Sequence, residues 1–153
     1  MIETMLVKER QFVARAGGRD LADLMSIYEC NYIRLRQLIP DLEALGGAGL
    51  SCARGALDLH LQVRETSRYT TTLLLTYYFE DDEGRFPAPD LEVRIYHDAR
   101  LAEVMRCGRR RGRRDALYDR RHHHYSLDEK WHINRFLQKW LGYCLRQGHR
   151  FRS

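Results

Sequence analysis

Between Arg106 and Arg121 the chain reads RCGRRRGRRDALYDRR, with eight arginines (106, 109, 110, 111, 113, 114, 120 and 121) against Asp115 and Asp119. Guanidinium forks match phosphate oxygens two bonds at a time, and the interspersed glycines let the backbone follow a nucleic-acid strand. The stretch alone is more positive than the whole chain, which nets +5, so the basic character is local. A nucleic acid or an acidic protein surface is the partner such a segment suits. A block of like charge also serves as plain solvated surface.

Two other groups of residues could carry chemistry. Tyr96, His97 and Asp98, with the triplet His122-His123-His124, contain the residue types of a small hydrolase, metal-assisted if His122 and His124 face one way on extended chain. Against this, neighbours on a strand point to opposite faces, so His97 and Asp98 do not form a side-by-side pair without a bulge. The arginines flanking the triplet also repel a cation. No HExxH spacing, glycine-rich phosphate loop or nucleophile elbow occurs, so no cofactor and no metal is expected. The last group is His60, Arg64, Arg94 and Tyr96. They share the non-core parity of their strands and would make a cationic face with an aromatic, suited to a nucleotide or single strand, if those strands are neighbours.

The elements that position these residues follow from periodicity. Asp20 is a plausible N-cap for a helix in which Leu24, Tyr28, Tyr32, Leu35 and Ile39 keep the helical step before Pro40 stops it. A glycine-bearing stretch over 42–53 reads as a flexible connector. The period then becomes two: Leu57, Leu59, Leu61 and Val63 alternate with polar residues, and strands follow at about 68–79 and 91–96. Residues 100–107 suit either helix or strand, and a fourth strand is favoured. From Leu127 to Gln147 the chain returns to helical spacing, with Ile133, Phe136, Leu137, Trp140, Leu141 and Cys144 on one face. Ser126 and Glu129 read as a capping box and Gly148 as the C-cap.

These elements predict an α+β fold: an N-terminal helix, an antiparallel β-meander of about four strands, and a long C-terminal helix packed on the sheet. Residues 1–19 read as a loosely ordered arm, and 20–153 as a single domain with a basic loop at about 106–124. The hydrophobic fraction of 44% and charged fraction of 31% fit a globular chain without a membrane span. Charges near the N-terminus argue against a signal peptide, and four cysteines without a CxxC pair fit a reducing, cytoplasmic setting.

YECNYIRLRQLIP in the first helix, RYTTTL in the second strand, VRIYHDARLAEV in the third and fourth, and DEKWHINRFLQKWLGYCLRQG at the end resemble the YqiB-like family of small proteobacterial proteins. The resemblance runs in the same order over about residues 24–148. It implies a single cytoplasmic domain and brings no activity with it. The arm before Asp20 is longer than is usual there, and the run from Arg106 to Arg114 is denser in arginine. The leading expectation is therefore a non-enzymatic binding or regulatory module, with the hydrolase as the alternative.

Overall fold

The computed structural model describes residues 19–109 and 116–152. The expected arm lies, Arg19 apart, outside the described residues. In chain order come helix α1 (Leu21–Leu38), a single 3-10 turn (Glu43–Leu45), strands β1 (Ala48–Ser51), β2 (Leu59–Thr66), β3 (Thr70–Asp81), β4 (Gly84–Tyr96), β5 (Leu101–Arg109) and β6 (Ala116–Asp119), and helix α2 (Leu127–Arg146). The strands form one antiparallel sheet in sequential order β1 to β6.

The α+β class and the meander are as expected, but the sheet has six strands where about four were predicted. The extra ones are β1, inside the glycine-bearing connector, and β6, inside the basic stretch. Each is four residues long, too short for an alternating pattern to register. The basic stretch is thus not loop throughout 106–124, because 106–109 and 116–119 are paired strand, while 120–124 is turn as expected. The ambiguous 100–107 segment is strand, within β5. Strand β4 also begins earlier than expected and runs through Pro87 and Pro89. Proline is tolerated there because β5 pairs with β4 only from Leu91 onward, and the β3–β4 register shifts between Thr76 and Tyr78.

The helix ends are built as the sequence suggests, with one exchange of roles. At α1, Asp20 accepts from the Asp23 N–H at 2.9 Å while the Asp23 carboxylate accepts from the Asp20 N–H at 3.1 Å, a complete capping box. At α2, Ser126 Oγ accepts from the Glu129 N–H at 3.1 Å, but the Glu129 carboxylate meets the Ser126 hydroxyl rather than its backbone N–H. The other end of α2 closes on Gly148, whose φ of +93° no β-carbon would favour. Gly148 N donates to Leu145 O and His149 N to Cys144 O, each at 3.1 Å, which is a Schellman closure.

Both helices lie on one face of the sheet. Leu59, Leu61, Leu73, Leu75, Leu91, Val93 and Ile95 meet Phe136, Leu137, Trp140 and Leu141 from α2 and Leu35 and Leu38 from α1. Tyr77 stands edge-on to Trp140, ring centroids 5.6 Å apart. Beyond β6's reach, the outer edge of β5 would expose its backbone. Asn134 of α2 covers it: its side-chain oxygen accepts from Val104 N at 2.9 Å and its amide donates to Lys130 O, while Asn31 of α1 donates to Asn134 O at 3.1 Å. Two fully buried asparagines thus join α1, α2 and β5.

The C-terminal tail returns to the first strand. Phe151 N donates to Leu38 O, and Ser51 Oγ lies 2.9 Å from His149 Nδ1 while accepting from Arg150 N. His149 is only 2% exposed, and burial pushes its pKa below the ordinary 6.5. An imidazole so depressed gives stability that is full above that ordinary value. It is lost as pH falls from there through the folded-state value, because the unfolded chain takes up a proton that the folded one resists. Urea midpoints measured from neutral to mildly acidic pH should therefore fall more steeply in the wild type than in His149→Asn. Parallel pH profiles would contradict this.

Candidate functional site

The sheet's other face is polar over β2, β3 and β4, and toward β5 it is covered in part by Tyr28 of α1 and by Arg120 and Arg121 from the turn after β6. Its positions follow from the register: His60 opposes Thr76, Thr76 opposes Asp90, Leu74 opposes Glu92, and Thr72 opposes both Glu65 and Arg94 on its two sides. Arg64 and Arg94 do not sit on neighbouring strands, since β3 lies between β2 and β4. A bulge between Val63 and Glu65 further takes Arg64 out of register and puts Glu65 in the row with Thr72 and Arg94.

Arg106, Arg120 and Arg121 of the basic stretch lie against carboxylates. Arg106 is 3.9 Å from Asp90, and Arg121 reaches across the face to Glu92 at 2.5 Å and Glu65 at 3.7 Å. Arg94 donates to Thr72 Oγ1 at 3.1 Å and pairs with Glu65 at 3.7 Å. These exposed pairs contribute little to stability one by one, about 0–1 kcal/mol each. Together they balance the cationic face that the sequence suggested. Arg109 ends β5 opposite Ala116, which begins β6. The residues between them, with Arg110, Arg111, Arg113 and Arg114, lie outside the described residues.

Arg120 has a deeper partner. Glu103 of β5 is 2% exposed and binds the Arg120 guanidinium, while Tyr96 Oη donates to it at 2.5 Å and Tyr28 Oη at 3.0 Å. Burial pushes both phenols well above the usual tyrosine range, and the Glu103 charge beside them adds to the rise. Burial opposes the charge on Arg120, but the adjoining Glu103 outweighs it and raises that pKa. Two protonated phenols and a guanidinium thus hold one carboxylate where α1, β4, β5 and the turn after β6 meet. A glutamate facing three donors on different elements was invisible in sequence, where β5 itself was ambiguous.

The hydrolase residues are engaged at separate places. His97 Nε2 lies 2.8 Å from Thr71 Oγ1, Asp98 accepts from Ala99 N at 2.9 Å, and Tyr96 serves Glu103. His122 lies 2.7 Å from Asp119, and His123 approaches the Tyr125 ring. Among the described residues no group of three or more His, Cys, Asp or Glu is placed to hold a metal ion.

At the end of the polar face nearest the start of β2, Leu57, Asp58, His60, Tyr78, Glu80 and Arg85 line an open cleft of about 320 Å³. The Arg85 guanidinium lies 3.9 Å over the Tyr78 ring, and His60 stands edge-on to the same ring at 4.9 Å. The sequence does not reveal Arg85 and Tyr78 as a pair, because its pattern ends one strand at about 79 and begins the next at 91. The continued hairpin sets Glu80 opposite Arg85.

A family model described as a protein of unknown function (DUF1249) matches residues 34–150. The uncharacterized protein YqiB of Escherichia coli strain K12 is 34% identical over 138 residues, covering 84% of this chain and 91% of its own length. The YqiB proteins of strains O6:H1 and O157:H7 give the same figures. No solved structure matches the chain.

Removing one side of the Glu103 arrangement tests its weight. Glu103→Ala leaves Arg120, the buried Tyr28 phenol and the half-buried Tyr96 phenol without their acceptor, and should cost about 3–5 kcal/mol in urea unfolding. A loss under about 1 kcal/mol, the worth of an exposed ion pair, would show that the carboxylate is not an anchor.

Proposed function

The chain belongs to the DUF1249 family and is similar to YqiB, and we propose that it is a non-enzymatic binding module whose arginine-rich segment docks on single-stranded nucleic acid. The observation that carries this reading is the pairing of Arg109 with Ala116. It brackets Arg110, Arg111, Arg113 and Arg114 between two adjoining strand ends, at the same end of the sheet as the cleft. Arg106, Arg120 and Arg121 face carboxylates, and the bracketed arginines put four further positive charges in the same short stretch of sequence. Aromatic and imidazole rings on the polar face favour nucleic acid over an acidic protein surface. Among the described residues no helix is long and apolar enough to cross a membrane, in keeping with a cytoplasmic role.

The association should be dominated by phosphate neutralisation. With the five arginines from Arg109 to Arg114 engaged, affinity for a labelled single strand should fall roughly a hundredfold between 50 and 200 mM salt. Changing Arg109, Arg110 and Arg111 together to Ala should weaken binding and flatten the salt slope by about three phosphate contacts' worth. No binding at low salt, or indifference to those substitutions, rules the reading out.

A further inference from the structure

We infer that the cleft lined by His60, Tyr78 and Arg85 receives one unstacked nucleobase of the bound strand, a deepening that rests on the reading above. Arg85 differs from its neighbours on the polar face. Arg94, Arg106 and Arg121 each lie against a carboxylate, whereas the Arg85 guanidinium carbon sits over the Tyr78 ring, 3.9 Å from its centroid. A guanidinium plane stacked on an aromatic offers its outer face to a further planar group, as bases stack on arginine in single-strand recognition. A base placed there extends the Tyr78–Arg85 stack by one layer, with the His60 ring beside it.

The charges of the cleft separate base from phosphate. Asp58 and Glu80 line it with a single guanidinium between them, so a phosphate inside would face two carboxylates. The same carboxylates accept hydrogen bonds from the exocyclic amino group of a base, as acidic side chains do from cytosine N4. The sugar-phosphate backbone is then left outside, on the side of the arginines.

The register supplies a route between the two. His60, Thr76, Asp90 and Gly108 form a row across β2, β3, β4 and β5. A β-carbon on Gly108 would fall 2.7 Å from that of Asp90, so the row ends on a residue with no side chain. From β2 to β5 the row spans roughly 14 Å at ordinary strand spacing. That is a short crossing, and it ends one residue before Arg109.

The test compares a short oligodeoxycytidine with an abasic strand of equal length, titrated at low salt against the full chain. The base-bearing strand should bind between about fivefold and a hundredfold more tightly, the range one stacked base is worth. Tyr78→Leu should erase that difference and leave abasic binding unchanged. His60→Ala, a lighter surface change, should narrow it, and circular dichroism checks that both variants are folded. Equal affinity for the two strands, or a difference that survives Tyr78→Leu, overturns the cleft and leaves phosphate docking standing. Binding of neither strand removes both readings together.

Discussion

The constraint on which the molecule depends is one-sided burial. Trp140 and Phe136 are each 1% exposed, shut between α2 and the leucine-rich face of β2, β3 and β4. Large apolar side chains of this kind contribute about 1.5–3 kcal/mol apiece when removed from water, and they leave the helix no other place to lie. With α2 and the C-terminal half of α1 committed to one face, the other is covered only in part, near β5, and the rest must be stable in water. Its threonines, paired charges and half-buried aromatics meet that requirement, and it is the surface proposed above for recognition.

Burial on one face also fixes where charge is allowed. Near the polar face, guanidiniums and carboxylates alternate in pairs that solvent screens. Glu103 is different, because its carboxylate is inside the protein and needs every donor it meets. It ties the turn after β6 to α1 and β4, while Arg120 N also donates to Met105 O. The strand that returns from the arginine-rich segment is therefore fastened to the core. A flexible basic tail would lose ordering entropy on binding, and a fastened one loses less.

Much of the core was legible in the residues themselves. The α2 apolar face, the helix starts at Asp20 and Ser126, the stop at Gly148 and the buried Leu59 and Leu61 of β2 follow from local chemistry, and the structure repeats them. Leu57, expected to begin that row, instead lies before the strand and is exposed. What did not show was decided by partners distant in sequence. β1 and β6 are strands because β2 and β5 offer open edges, not because four residues carry a signal. Asn134 reads as a polar interruption of α2 until Val104 is placed beside it. The bulge at Arg64 inverts the parity argument for one residue, and exchanges an expected arginine for Glu65. The cleft depends on β3 and β4 running on past Phe79 and through two prolines, where composition argues for a loop.

The most direct measurement of the whole account is amide chemical-shift mapping of the labelled protein as a single-stranded oligonucleotide is added at low salt. Shifts confined to the polar-face positions of β2, β3 and β4 and to the ends of β5 and β6, with α2 silent, are the predicted result. Shifts centred on exposed helix residues such as Leu21 and Ile33, with His60, Tyr78 and Arg85 unmoved, would contradict it.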